Sequence, residues 1–176
     1  MRHCFSVLTL LFVVPIGAYS QGDHSKAVEA IRDHYTKVTK EIERIESNKE
    51  AASGSELAVN ELVVNKLNKS WPAVGNYSVV YRFYYKQFGE EPYPDSLVMI
   101  RKKAVSAARE HHEEWLFSDD GTLAFYFFKD EEGAEHRLYY SGEEVLSYVG
   151  KGDKLDLSAR ASKVREYIRL FFISIQ

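Results

Sequence analysis

Apolar residues recur at Ile31, Tyr35, Val38, Ile42 and Ile45, in steps of four and three, with Lys37, Lys40, Glu41, Glu43, Arg44 and Glu46 between them. This spacing predicts an amphipathic helix from about Ser25 to Ser47, with Asp23 or Ser25 available to cap it. The stripe keeps coiled-coil spacing for only about two heptads, so packing on the chain's own sheet is expected rather than self-association. Small residues ending in Ala51-Ala52-Ser53-Gly54-Ser55 read as a loop. Glu56 to Leu67 fits a short helix or a strand equally well, and Trp71 to Gly75 reads as a turn.

Beyond that turn the pattern changes period. Tyr77–Gln87, Leu97–Ile100, Glu110–Phe117, Thr122–Phe128, Glu135–Tyr140 and Val145–Val149 are dense in β-branched and aromatic residues and are separated by short turns. Asp119-Asp120-Gly121 and Gly133 supply residues tolerant of positive φ for two hairpins. Gly142 leads a two-residue loop between Ser141 and Glu144, a register that sets Tyr140 opposite Val145 and Tyr139 opposite Leu146. The chain closes with a helical period from about Leu157 to Ile175. Val164, Ile168, Phe171, Phe172 and Ile175 lie on one face; Arg160, Lys163, Arg165, Glu166 and Arg169 lie on the other. The expected fold is α+β: a long N-terminal helix, an antiparallel meander of about five or six strands, and a C-terminal amphipathic helix packed on the sheet.

The N-terminus adds a compartment. Arg2 and His3 precede an apolar run from Phe5 to Ile16, and Ala18 and Ser20 place small residues at −3 and −1 of a cut after Ser20. The run is about twelve residues, whereas a spanning helix needs roughly twenty, so a cleaved leader is expected rather than a stable membrane anchor. Residues 1–20 are thus read as a signal peptide and 21–176 as a single domain. The lone cysteine, Cys4, leaves with the leader, so the mature domain forms no disulfide. An exported domain without disulfides points to the periplasm or cell surface of a Gram-negative bacterium. The chain carries 23 Lys and Arg against 26 Asp and Glu, a mildly acidic balance with no electrostatic reason to hold nucleic acid. Asn68-Lys69-Ser70 and Asn76-Tyr77-Ser78 are sequons, which matter only in a eukaryotic secretory route.

The run from Glu110 to Phe127 sets an acidic–aromatic strand, an Asp-Gly turn and an aromatic strand in succession, and Glu135-His136-Arg137-Leu138-Tyr139-Tyr140 repeats the style. It resembles small exported proteins of the Bacteroidetes over about half of the mature chain. The resemblance implies the fold and the compartment; it supplies no activity.

Candidate chemistry is sparse. His111-His112-Glu113-Glu114 is the densest titratable cluster, but Leu116 stands where a zinc-protease helix needs its second histidine. A metal site there would have to recruit His136, and no metal or other cofactor is expected. There is no nucleophile elbow, no mature cysteine, and the glycines around Lys151 lack phosphate-loop spacing. A hydrolase without a recognisable motif, a further alternative, would have to use His111, His112 and His136 as acid or base groups, so a non-catalytic protein is the expectation.

The aromatic content, 12 Tyr, 10 Phe and 2 Trp, is more telling, because both alternating sets of Thr122–Phe128 are largely apolar. A meander covered on one face should alternate cleanly with polar residues, so either both faces are covered or one aromatic face meets a ligand. On the second reading Tyr81, Tyr84, Trp115, Tyr126 and Tyr139 are the ligand-binding candidates, suited to a glycan, a lipid-like molecule or another exported protein. A structural or inhibitory protein that docks on another exported protein is the alternative.

Overall fold

The computed structural model describes residues 21–48, 53–72, 75–87, 96–107, 109–151 and 154–175. Residues 1–20, where a cleaved leader is expected, lie outside the described residues. Helix α1 (Gln21–Ser47) precedes the strands β1 (Leu57–Val64), β2 (Ser70–Trp71), β3 (Gly75–Lys86), β4 (Ser96–Ser106) and β5 (Arg109–Phe117). Strands β6 (Leu123–Lys129), β7 (Glu135–Ser141) and β8 (Glu144–Val149) complete the sheet, and α2 (Lys154–Ala161) and α3 (Val164–Ser174) follow. The strands lie in the order β1-β3-β4-β5-β6-β7-β8, all antiparallel, and β2 continues the line of β1 along β3. Asn65 makes that continuation possible. Its left-handed backbone (φ 53°) turns the chain out of β1, while its side-chain amide donates to Lys69 O and Tyr77 O across the gap.

The sheet is covered on both faces. Alternation sends Phe83, Ile100, Trp115, Tyr126 and Leu138 to one side, where Leu157, Ala161, Val164, Tyr167 and Phe171 of α2 and α3 pack on them. Tyr84, Met99, Leu116, Phe125 and Tyr139 point the other way, beneath Val28, Ile42 and Ile45 of α1. This double coverage explains why Thr122–Phe128 is apolar in both alternating sets. It also closes the face proposed for a ligand.

Several expectations are corrected. The described sheet has eight strands, because Glu56–Leu67 resolves into β1 and the Trp71 turn contains β2; β4 is also longer than expected, running on through Arg101-Lys102-Lys103 to Ser106. Tyr140 does pair with Val145, but a bulge at Leu146 gives Tyr139 to Ser147. The C-terminal helix is broken in two. In one continuous helix the Arg165 N–H would bond to Ala161 O; instead Trp115 Nε1 donates to that carbonyl at 3.1 Å, and Arg165 N bonds to Ser162 O. Within α3 the buried face runs through Val164, Tyr167 and Phe171, which leaves Phe172, placed by sequence on the buried face, 51% exposed.

Gly150 marks a close approach beside β8. Its φ is +151°, and a Cβ there would sit 2.7 Å from His136 Nδ1 and 3.2 Å from Glu135 O. Gly150→Ala is therefore expected to lower stability by about 1–3 kcal/mol. An unchanged urea midpoint would show that the His136 ring simply swings aside.

Candidate functional site

Neighbouring positions on β5 send Glu113 and Glu114 to opposite faces, and both carboxylates are buried. Glu113 accepts from Lys102 Nζ at 2.6 Å and from Tyr126 Oη at 2.8 Å, and Lys102 also reaches Tyr167 Oη. Burial works against the Lys102 charge, but Glu113 and the tyrosine outweigh it and raise the ammonium's pKa. Glu114 accepts from Tyr35 Oη at 2.6 Å and lies 2.9 Å from His112 Nε2. Arg101 Nε approaches it to 3.0 Å without a hydrogen-bond alignment, so that contact acts through charge alone. Burial pushes Glu114 up, yet His112, Arg101 and Tyr35 together hold it below the ordinary carboxylate range. Burial and the nearby Glu114 charge raise the Tyr35 hydroxyl, which stays protonated and donating.

These groups tie the layers together; they do not converge on a cavity. His112 is spent on Glu114. His136 lies 3.4 Å from Tyr148 Oη and 3.7 Å from Asp130 Oδ2. His111 and His136 both touch the Phe128 ring, so strand β6 stands between them. Burial and the Lys102 charge lower the His111 pKa. Among the described residues no three His, Cys, Asp or Glu side chains come together as a metal set.

The five aromatic candidates are found in the core rather than on an open face. Tyr84, Trp115 and Tyr126 are fully buried and Tyr139 is 3% exposed. Tyr84 donates to Glu46, and the Trp115 and Tyr126 rings pack against each other at a tilt. Tyr81 is half-buried against Tyr167, and burial pushes its hydroxyl up to about 12. Tyr139 alone reaches a cavity.

That cavity is a cleft of about 550 Å³ where the first half of α1 crosses the inner ends of β6 and β7 and the end of β8. Alternation places Phe125 and Phe127 of β6, and Arg137 and Tyr139 of β7, on the α1 side; Arg32, Tyr35 and Thr36 descend from the helix, and Glu135 and Val149 close the rim. The walls are aromatic: Tyr35 meets Phe125 edge-on at 5.0 Å, and Phe125 packs on Tyr139 at 5.0 Å. Two guanidiniums lie over rings, Arg32 over Tyr139 and Arg137 over Phe127, each 5.3 Å from the centroid. Arg137 is paired with Glu135, whereas Arg32 bonds only to a neutral group, the Tyr139 hydroxyl at 3.1 Å. Among the described residues Arg32 has no carboxylate partner, so the cleft holds one uncompensated positive charge. Sequence reasoning passed over Arg32 because a cation on the polar side of an amphipathic helix is ordinary.

Two other hollows are less suited to a ligand. A cavity of about 460 Å³ beside His34 is rich in charge, but Glu41 is held by Arg44, Lys86 faces Asp119, and His34 Nε2 donates to Phe117 O. The Arg44 and Ser55 hydrogen bonds hold Glu41 down at about 2. A groove of about 540 Å³ under α2 and α3, near Leu123, Tyr140 and Ile168, is mostly apolar. No described helix is long and apolar enough to cross a membrane. Compared with known proteins, the chain matches no family model, no curated protein and no solved structure.

Proposed function

We propose that this chain is an exported, non-catalytic binding module whose ligand carries an anionic group on a flat or lipid-like apolar body, seated in the cleft between α1 and β6–β8. The observation that carries this reading is the Arg32 guanidinium, which has no carboxylate partner among the described residues, beside an aromatic-walled cavity. A carboxylate or sulfonate there would gain a charge-assisted hydrogen bond, and its apolar body would cover Phe127 and Val149. The leader read in residues 1–20 supports export, and the histidines held in structural contacts support a role without catalysis.

The test is a fluorescence titration with 1-anilinonaphthalene-8-sulfonate, an anionic aromatic probe. Arg32→Ala is expected to weaken binding about 10- to 100-fold, the equivalent of one charge-assisted hydrogen bond. Arg165→Ala, on the groove under the C-terminal helices, should leave the affinity unchanged. Equal losses in both variants, or none in Arg32→Ala, would remove the cleft as the site.

A further inference from the structure

A sheet with two ends has two edges whose backbone groups are unpaired, and such edges are normally blunted by charges, prolines, bulges or shortness. Strand β8 follows that rule: it is six residues long and is interrupted by the bulge at Leu146. Strand β1 does not. It runs eight residues in unbroken register with β3, and no described strand pairs its outer side. Its sequence, Leu-Ala-Val-Asn-Glu-Leu-Val-Val, contains one charge, Glu61, already engaged by Arg82.

The exposed apolar surface gathers at this same edge. Seven large hydrophobic side chains are left exposed among the described residues, and only Val149 lies elsewhere. Val59 and Val64 stand on β1, Leu67 on the turn that leaves it, and Trp71 on β2, which continues its line. Phe172 and Ile173 occupy the last turns of α3, which packs over β1. An apolar surface concentrated along an unguarded strand marks an interaction site.

We infer that the β1 edge is the interface between two copies of this chain, joined strand to strand into one continuous antiparallel sheet. The sequence of β1 argues for a second copy over an unrelated strand, because β1 is complementary to itself. About a two-fold axis at Asn60, Leu57 faces Val63 of the second copy, Ala58 faces Leu62, and Val59 faces Glu61. Side chains of the α1 side then meet only α1-side residues, and likewise on the other face. Moving the axis to Glu61 would set two carboxylates against each other, and centring it on Val59 or Leu62 would shorten the overlap. A strand pair alone is smaller than the roughly 1,600 Å² of a standard interface. The flanking Trp71, Phe172 and Ile173 supply further apolar surface.

The test uses the full chain with Cys4→Ser, so that any added cysteine is unique. Sedimentation equilibrium should give twice the chain mass, and Asn60→Lys, which places two ammonium groups across the axis, should give a monomer with unchanged circular dichroism. Asn60→Cys should form an intermolecular disulfide under mild oxidation. Glu61→Cys should not, since its symmetry mate lies on the diagonal, beyond the roughly 7 Å that a disulfide spans. A monomer up to about 100-fold above the lowest concentration measured, a dimer indifferent to Asn60→Lys, or equal cross-linking of the two cysteine variants would each overturn the inference. A heterologous partner on β1 would appear as the first of these.

Discussion

Trp115→Ala is expected to lower the melting temperature by on the order of 10 °C. Trp115 sits on β5, the middle strand of the sheet, with no exposed surface, and its indole packs against Tyr126 at 5.3 Å and Tyr167 at 5.0 Å. Truncating a buried Trp to Ala costs about 3–5 kcal/mol, a large share of the roughly 5–15 kcal/mol by which a domain is stable. The variant also strands Ala161 O, the acceptor that divides α2 from α3. Trp115→Phe separates the two effects, since it keeps most of the ring volume and loses only the donor; a cost of about 1–2 kcal/mol is expected for it. Urea melts followed by circular dichroism read both. A loss under about 1 kcal/mol in Trp115→Ala would mean that the C-terminal helices do not close that face of the sheet.

The second large effect concerns Glu113. The Lys102–Glu113 pair has side chains 14% and 6% exposed, and Tyr126 completes the carboxylate's shell. Removing one member of a buried pair leaves the other charge desolvated and uncompensated, at about 3–5 kcal/mol. Glu113→Ala is therefore expected to approach Trp115→Ala in severity. The apolar triple Glu113→Leu, Lys102→Met, Tyr126→Phe should recover most of the loss, because it removes the stranded partners as well. The solvated Arg109–Glu131 pair, 73% and 39% exposed, sets the scale for an ionic contact of little consequence, below about 1 kcal/mol. If Glu113→Ala costs no more than breaking that pair, water reaches the Glu113 site.

The contrast between these residues shows what a linear reading detects. Helix α1, strands β3 and β5–β7 and the Gly121, Gly133 and Gly142 turns were legible because each is specified by its own periodicity or turn chemistry. The second half of β4 was not. Arg101-Lys102-Lys103 looks like the end of a strand, and only beside β5 does it become clear that the pleat delivers Arg101 to Glu114 and Lys102 to Glu113 on opposite faces. The helix break at Ser162-Lys163 carries no glycine or proline, since its cause is an indole 46 residues away. The aromatic excess was a true signal with two readings, and periodicity within the sheet could not say whether helices covered both sides. The candidate cleft is the hardest case. Tyr139 was visible as an aromatic, but the pairing of Arg32 with an apolar wall depends on the angle at which α1 crosses the sheet.

Covering the two faces with helices that precede and follow the strands sets an order of events during synthesis. Helix α1 precedes the strands that it covers, while the surface built from Phe83, Trp115 and Tyr126 waits for Leu157, Ala161, Val164, Tyr167 and Phe171, which all follow the last strand. A product that stops short of α2 is therefore a sheet with one greasy side open, and the native packing becomes reachable only once α3 has been made. Pairings that span most of the sequence form slowly. A nascent chain of this design keeps one apolar sheet face open until α2 and α3 have followed the last strand, and only then does that layer close.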